Sequence, residues 1–169
     1  AYYNYYMYLP HRSRTNYTID DLETYLRNVQ GFKGSIYGKT LVSNYSVLYG
    51  TSEYYMKAEE LYGANAISVF GLSMNESARG RSNIAIKKNN VFGHSAYDGM
   101  AYDSATGYLD VRSSIYSHAY SYINYGYSEV ADSRYYGGHF GNKLTGMNVK
   151  YASDIYWGEK AAAFSYYMD

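Results

Sequence analysis

The segment at residues 65–80, NAISVFGLSMNESARG, decides the fold of this chain. Residues 66–74 are apolar or small on nearly every side, a pattern typical of a helix that is buried all round. Asn65 suits the N-cap of that helix, because its side chain can accept a hydrogen bond from the first turn. Glu76 follows at the predicted C-terminal end, where the helix dipole disfavours a negative charge. We therefore predict a central buried helix that ends in an unusually placed carboxyl group.

Further helices are predicted on both sides of this segment, at 19–29, 52–62, 82–88, 112–125 and 154–168. Thr18, Thr51 or Ser52, and Gly63 supply the start and stop signals of the first two. Glycine-punctuated loops are expected at 31–50 and 137–146, and two short strands around a turn at 94–111. The fold class is mainly α (α+β). We expect a single domain over 1–169, with the tyrosine-rich residues 1–17 as a non-helical N-terminal extension packing on it.

The composition excludes several classes of protein. Lys plus Arg and Asp plus Glu number 15 each, so no net field favours nucleic acid or an anionic membrane. The chain has no cysteine, which excludes a disulfide framework and a thiolate nucleophile. The apolar stretch at 63–74 is too short to cross a bilayer. The four histidines lack the spacing of metal ligands, so we expect no metal and no cofactor. The absence of a leader at Ala1 favours a mature or excised module.

Glu76 is the carboxylate that ordinary helix chemistry does not explain. An apolar helix, a C-terminal dipole and partial burial all favour its protonated form. A carboxylic acid that stays neutral near pH 6–7 is what a glycosidase needs to protonate a leaving oxygen. The alternative is an ordinary buried glutamate held by hydrogen bonds, and these features leave both interpretations open.

Three separated motifs resemble one known family. The order Glu76-Ser77-x-x-Gly80-x-Ser82-x-Ile84-Ala85 is followed by NNVFG at 89–93 and AYD at 96–98. This order resembles the endo-β-N-acetylglucosaminidases of glycoside hydrolase family 73, which are bacterial autolysins and flagellar wall hydrolases that cut peptidoglycan. The resemblance continues through GNKLTGMNVKYASDIYWGEK at 141–160 and is close to the catalytic modules of cell-separating autolysins.

The resemblance implies a lysozyme-like bundle of helices around a cleft, with a small β-hairpin lobe flanking it. Glu76 matches the general acid of the family. Asp110 and Asp98 match acidic positions in similar proteins. Asp110 is our choice for the base or electrostatic stabiliser, and Asp98 for a group that orients the site; the alternative is a purely structural carboxylate. A second mechanism uses the acetamido oxygen of the substrate as nucleophile, and Tyr151 then stabilises the oxazolinium.

Candidate substrate contacts carry a functional and a structural interpretation each. Asn90 suits a glycan hydrogen bond or a turn, and Arg79 suits a carboxylate of the peptide stem or a solvated surface. The aromatic candidates suit either sugar stacking or the core; they are Phe92, Tyr97, Tyr156 and Trp157. The chain departs from its relatives at Arg79, where an aromatic residue is common, and at His94, where an aliphatic one is. His94 is expected to make activity more pH-sensitive.

The function implied is that of a secreted peptidoglycan hydrolase in the cell wall of a Gram-positive bacterium. It would cleave the β-1,4 bond between N-acetylglucosamine and N-acetylmuramic acid during wall turnover or daughter-cell separation. We expect a monomeric module of a larger wall-targeted protein, with glycan strands as its partner. The alternatives are a muramidase or lytic transglycosylase on the same fold, and a non-catalytic glycan-binding module in which Glu76 is dispensable.

Overall fold

The computed structural model describes residues 4–29, 35–37, 40–42, 46–96 and 99–169, and over these ranges the chain is mainly helical. The elements in chain order are α1 (Asn4–Tyr8), α2 (Ile19–Thr24), π1 (Tyr25–Val29), β1 (Ser35–Tyr37), β2 (Thr40–Val42), α3 (Ser52–Tyr62), α4 (Ala66–Glu76), α5 (Asn83–Lys88), α6 (Ala101–Ser104), α7 (Val111–Ser117), π2 (His118–Tyr127), α8 (Asn148–Tyr151) and α9 (Trp157–Met168). The π-helical segments π1 and π2 directly continue α2 and α7. None of the helices in the described part of the chain has the length and apolar character to cross a membrane.

Helix α4 is the centre of the core, as predicted. Each of its residues from Ala66 to Met74 is buried. Asn65 caps the helix by accepting a hydrogen bond from the Ser68 amide at 3.0 Å. Helix α3 packs against α4, where the Tyr55 hydroxyl bonds to the Ser73 hydroxyl at 2.7 Å. The helix that carries Glu76 is therefore fixed along its whole length.

Helix α9 packs antiparallel to α4 and brings the C-terminal part of the chain to Glu76. Ser165 Oγ donates to the Ile67 carbonyl at 3.1 Å near the start of α4. Trp157 Nε1 donates to Glu76 Oε1 at the other end. Gly71 permits this close approach, because a Cβ there would lie 2.6 Å from Ser165 Oγ. The pairing of the two helices thus sets the position of Trp157 beside the carboxyl group.

The predicted helix ends are largely confirmed. Thr18 and Asp21 form a capping box at the start of α2, in which each side chain bonds to the other residue's backbone N–H. Gly63 ends α3 in the left-handed conformation that glycine adopts easily. Ser82 caps α5 through the Ala85 amide at 3.1 Å. Local side-chain chemistry therefore determines these boundaries.

Two predictions about the first fifty residues are wrong. Residues 4–8 form helix α1, which packs against α9, whereas the sequence showed no helical period there. A two-stranded antiparallel hairpin, β1–β2, lies within the predicted loop at 31–50, with Ile36 opposite Leu41. The SIY-GK-TLV pattern, two short β-forming runs around a glycine-containing pair, was the signal for this hairpin.

The predicted strand pair at 94–111 is also wrong over the described residues of that segment. Helix α6 forms there instead. Side chains and backbone amides share the carbonyl groups of this segment. Lys88 Nζ donates to the Ala105 carbonyl at 3.0 Å, and the His94 carbonyl accepts from Asn90 Nδ2 at 3.1 Å and from the Thr106 amide at 2.9 Å. Side-chain bonds, helix α6 and isolated backbone hydrogen bonds together pair these groups without a sheet ladder.

Candidate active site

Glu76 stands at the C-terminal end of α4, where α9 begins beside it. The Trp157 indole N–H donates to Glu76 Oε1, across 81 positions of sequence. Trp157 itself is buried and packs edge-on against Phe140, with ring centroids 5.7 Å apart. One carboxyl oxygen is therefore held by a donor that is itself packed in the core, and the Asn75 side chain also bonds to the carboxyl group.

The environment keeps the carboxyl group of Glu76 more often protonated than in water. Burial raises its pKa above the ordinary value, and the hydrogen bonds from Trp157 and Asn75 offset only part of that effect. Burial also raises the pKa of Tyr151 well above 10, with the nearby charge of Glu76 adding to the rise. The site therefore combines a carboxylic acid with a phenol that stays protonated.

A cleft of about 340 Å³ opens over Glu76. Its walls are mostly aromatic, and Glu76 is the single carboxylate among its described lining residues. The lining residues are Glu76, Phe92, Gly93, His94, Ser95, Ala96, Tyr122, Tyr127, Tyr151, Ala152 and Trp157. A larger pocket of about 470 Å³ lies elsewhere, around Arg14 and Tyr17, at the opposite end of α4. The chemistry of the acid points to the smaller cleft, since a neutral carboxylic acid facing aromatic walls suits a sugar ring.

Four predicted site residues meet in this cleft: Glu76, Phe92, Tyr151 and Trp157. Tyr151 packs on Trp157 with ring centroids 4.8 Å apart, so the acid, the indole and the phenol are contiguous. Phe92 and Trp157 expose 1% and 4% of their surface, which limits them to edge contacts with a ligand. Tyr151 is more open and offers more of its ring.

Asn90 is buried behind the cleft and organises its loop. Its Nδ2 donates to the carbonyls of His94 and Thr106, at 3.1 and 3.0 Å. Its Oδ1 accepts from the amides of Phe92 and His94, at 3.2 and 3.1 Å. Both donor hydrogens and both acceptor positions are used, so the side chain has no capacity left for a glycan. The turn interpretation fits this geometry.

Asp110 lies outside the cleft lining. It caps α7, where its Oδ1 accepts from the Ser113 amide and hydroxyl, each at 2.7 Å. Arg112 pairs with its other oxygen at 3.5 Å. The hydrogen bonds from Ser113 hold the pKa of Asp110 below its usual range. Its geometry is that of a helix N-cap, and its catalytic role stays a prediction.

The remaining predicted residues lie apart from the cleft or beyond the description. Arg79 is exposed, and its guanidinium carbon stands 5.8 Å from the centre of the Phe164 ring. Tyr156 is 59% exposed and lines a separate shallow surface with Glu159. Tyr97 and Asp98 lie outside the residues that the structure describes, so their roles stay predictions.

Sequence reasoning missed Tyr122 and Tyr127, two cleft residues that lie on π2. Hydrogen bonds from i to i+5 widen a π-helix, so that side chains four and five positions apart share a face, and a kink at Tyr125 (φ −99°, ψ 17°) further turns the chain between the two tyrosines. His118, Tyr122 and Tyr127 have this spacing, and the two tyrosines line the cleft. An α-helical reading of the sequence would direct them to different sides. The spacing is visible in the sequence, but the π-helical winding that gives it meaning is not.

His94 and His118 form a hydrogen-bonded pair within the aromatic wall. His94 Nε2 lies 2.9 Å from His118 Nδ1, and His94 Nδ1 lies 2.5 Å from the Tyr108 hydroxyl. His94 stacks on Tyr122 at 4.1 Å and His118 on Phe92 at 4.0 Å between ring centroids. Burial lowers the pKa of His94 to about 3 and that of His118 well below its usual range. Both rings are therefore neutral near pH 7, and His94 titrates only in acid.

Metal chemistry has no evident donor set here. Within the described ranges, no group of three or more His, Asp or Glu side chains is arranged to hold an ion. The histidine pair uses three of its four ring nitrogens in hydrogen bonds within the pair and to a phenol, and the fourth, His118 Nε2, is buried without a hydrogen-bond partner among the residues that the structure describes.

Comparison with known proteins adds a family and a fold. The family model "Glucosaminidase: Mannosyl-glycoprotein endo-beta-N-acetylglucosaminidase" matches residues 52–168. The chain is 42% identical over 120 residues to a Streptococcus pneumoniae serotype 4 protein assigned as an endo-beta-N-acetylglucosaminidase. That match covers 71% of this chain and 17% of the relative, so the chain spans a small part of the relative's length.

Two crystal structures share the fold. Autolysin E of S. aureus matches with a TM-score of 0.69 and 21% identity, covering 98% of this chain and 72% of that one. A catalytic mutant of the same autolysin, in complex with the disaccharide NAG-NAM, matches with a TM-score of 0.67 and 19% identity, covering 96% and 71%. The helical architecture described above is thus an autolysin fold.

Proposed function

The chain belongs to the glucosaminidase family, and from this premise we propose that it is the catalytic module of a peptidoglycan hydrolase. As a family member it is a glycoside hydrolase. The bond that we propose it cleaves is the β-1,4 bond between N-acetylglucosamine and N-acetylmuramic acid. One observation carries the proposal: the carboxyl group of Glu76 faces an aromatic cleft, with a raised pKa and one oxygen held by Trp157.

Glu76 acts in this proposal as the general acid. The Trp157 N–H occupies Oε1 as a donor, so the acidic proton resides on Oε2. A proton on that oxygen can pass to the glycosidic oxygen as the bond to the anomeric carbon breaks. The raised pKa keeps the proton in place near neutral pH, which is the requirement for an acid catalyst in glycoside hydrolysis.

For the second step we propose assistance by the substrate itself. Within the described lining of the cleft, no second carboxylate is available to attack the anomeric carbon. The 2-acetamido oxygen of the sugar can attack instead and form an oxazolinium ion, which water then opens. Tyr151 lines the cleft next to Trp157, and its protonated phenol is suited to stabilise the acetamide. Two inversions at the anomeric carbon follow, so the product retains its configuration.

The aromatic wall supplies the sugar-binding surface in this proposal. Tyr122 and Tyr151 stand nearly perpendicular, with ring centroids 6.5 Å apart and an interplanar angle of 77°. Their partly open faces can contact the apolar side of a pyranose ring. The uncharged His94–His118 pair behind Tyr122 makes this wall rigid without adding a charge.

The finer features of the fold and the surroundings are proposals as well. We infer that the hairpin β1–β2 is the small β lobe of a lysozyme-like fold, since β2 packs on α5, which leads into the Asn90 loop. Arg79 and Tyr156 are exposed and suit contacts with the peptide stem and the glycan beyond the cleft. We propose action on the wall of a Gram-positive bacterium, by a secreted protein in which this module is monomeric.

A digest of purified peptidoglycan tests the proposal. Products released by the chain and by Glu76→Gln are reduced and identified by mass spectrometry. Reducing-end N-acetylglucosamine from the unaltered chain only is the expected result. A muramic acid reducing end or an anhydro end would assign the activity to a muramidase or a lytic transglycosylase. Equal release by both proteins would remove Glu76 from the mechanism, and no release by either would favour a glycan-binding module.

A further inference from the structure

The backbone immediately after Glu76 is strained. Ala78, Arg79 and Gly80 follow one another in the left-handed region, with φ of 50°, 62° and 75°. Glycine adopts this region freely, but a residue with a Cβ does so at a cost in free energy. Helix α3 ends with a single left-handed glycine, Gly63, which avoids that cost. The end of α4 instead places two side-chain-bearing residues in the unfavourable region.

Ser77 is the centre of the hydrogen bonds that maintain this turn. It is fully buried. Its Oγ donates to the Ser73 carbonyl at 2.6 Å and accepts from the Gly80 amide at 2.7 Å. Its carbonyl accepts from the amides of Arg81 and Ser82, each at 3.0 Å. Ser77 therefore joins the last turn of α4 to the strained residues that follow it.

A second segment braces the turn from outside. Ser46 Oγ donates to the Arg79 carbonyl at 2.6 Å, and the Val47 amide donates to the Gly80 carbonyl at 3.1 Å. A Cβ at Gly80 would lie 2.2 Å from Ser46 Oγ and 2.8 Å from the Leu48 side chain. The turn is therefore held between the end of α4 and residues 46–48, with no room to relax.

We propose that Ser77 is a positioning residue for the acid Glu76. The indole of Trp157 fixes the tip of the Glu76 side chain, and the turn centred on Ser77 fixes its backbone. Strained residues that the surrounding structure over-determines occur at functional sites, where a defined geometry matters more than stability. The proposal rests on the proposed role of Glu76 as general acid.

Ser77→Ala tests the proposal by removing the hydroxyl that links α4 to the turn. We expect kcat on peptidoglycan to fall about 10- to 100-fold with KM little changed, since misplacing a catalytic group slows the chemical step. We also expect the alkaline limb of the pH–rate profile to move to lower pH, because a loosened Glu76 gains water and loses part of its pKa elevation. A wild-type kcat together with an unmoved alkaline limb would overturn the proposal.

Ser114→Ala is the matched control. Ser114 is also fully buried, and its Oγ donates to the Val111 carbonyl at 2.9 Å, but it lies on α7 outside the cleft lining. The control should lower Tm in the manner of Ser77→Ala and leave kcat and the pH profile unchanged. Equal losses of kcat in both variants would mean that Ser77 matters only for stability.

Ala78→Gly decides the matter even if Ser77→Ala folds poorly. It removes the backbone strain and keeps the side-chain hydrogen bonds of the turn, so Tm should stay constant or rise. We expect kcat to stay within about twofold of the unaltered chain, because the hydrogen bonds of Ser77 and Ser46 still hold the turn in place. A kcat reduced about tenfold or more in this variant would overturn the proposal, because the strain at Ala78, and not the Ser77 hydroxyl, would then position Glu76. If Glu76→Gln were active, the role of Glu76 as acid would fail instead, independently of Ser77.

Discussion

Glu76 and Asp110 are both carboxylates at helix ends, and the protein treats them in opposite ways. Glu76 is at the C-terminal end of α4, and burial raises its pKa. Asp110 is at the N-terminal end of α7, and the hydrogen bonds from Ser113 lower its pKa. The side chain of Asp110 is 42% exposed. An acid catalyst must hold a proton, whereas an aspartate N-cap accepts hydrogen bonds best when it is ionised, so each environment suits one role.

The largest expected effect is the loss of activity in Glu76→Gln. The amide keeps the size of the side chain but has no proton to transfer. We expect kcat to fall about 10²- to 10⁴-fold, the usual contribution of general acid catalysis. Release of reduced muropeptides over time, followed by mass spectrometry, measures the change. A loss of less than about threefold would show that Glu76 is not the general acid, and its contrast with Asp110 would then have no catalytic meaning.

Trp157→Phe should give the next largest effect. The variant lacks the N–H that donates to Glu76 Oε1. That hydrogen bond lowers the pKa of Glu76, so its removal should raise the pKa further and move the alkaline limb of kcat to higher pH. We expect kcat at the optimum to fall about tenfold through loss of orientation. An unmoved alkaline limb, measured from pH 4 to pH 9, would contradict this assignment.

Two separate substitutions of Asp110 distinguish a helix cap from a catalytic base. Asp110→Ala removes the cap of α7 and should cost about 1 kcal/mol of the free energy of unfolding, measured in urea. Asp110→Asn keeps a good cap and should be nearly as stable as the unaltered chain. Both should retain kcat within about twofold if the carboxylate only caps. A loss of kcat in Asp110→Asn of the size expected of a catalytic carboxylate would restore Asp110 as the base.

The smallest expected effects are on the pH dependence of the free energy of unfolding, to which the two carboxylates should contribute with opposite signs. Glu76 has a raised folded pKa, so its contribution is fully present below about 4.5 and declines as pH rises through the folded pKa. Asp110 has a lowered folded pKa, so its contribution is present above 3.8 and declines as pH falls.

Urea unfolding at pH 4 and pH 8 measures the contribution of Glu76, and unfolding at pH 4 and about pH 2 measures that of Asp110. The free energy of unfolding of Glu76→Gln, taken relative to that of the unaltered chain, should rise from pH 4 to pH 8. Asp110→Asn should lose a little relative to the unaltered chain above pH 4, and that gap should close in acid. Gaps of the same sign for both variants would show that the two environments are not opposite.

The sequence predicted most helices because their signals are local. A cap at Asn65, a capping box at Thr18 and a glycine stop at Gly63 act within one helical turn. It failed at 94–111, where alternating residues suggested strands. Helix α6 forms there, and Lys88 and Asn90 from the preceding segment add hydrogen bonds to carbonyls of this segment beside those from backbone amides. A short-range pattern is misleading wherever a distant side chain satisfies the backbone.

The residues of the candidate site also fall into those that local sequence predicted and those that depend on tertiary packing. Glu76 stood out from its position after an apolar helix, and its family motif is contiguous. Tyr122 and Tyr127 escaped attention because α-helical periodicity places them on different faces, whereas π2 winds more widely. Asp110 was chosen because it matches an acidic position in proteins that the chain resembles, but its Ser113 contact makes it a cap of its own helix. Charge is a property of the residue, and access to a cleft is a property of the packing.

The sequence alone determined the buried helix α4, its caps, the acid at its end and the motifs that match the glucosaminidase family. These features depend on neighbours within a few positions, and such interactions are the same in any fold. Only the tertiary structure decided that Trp157 meets Glu76 across 81 residues, that the histidine pair stays neutral, and that the turn after the acid is strained. These features depend on burial and on contacts between distant segments, which exist only after α9, π2 and residues 46–48 have packed around α4.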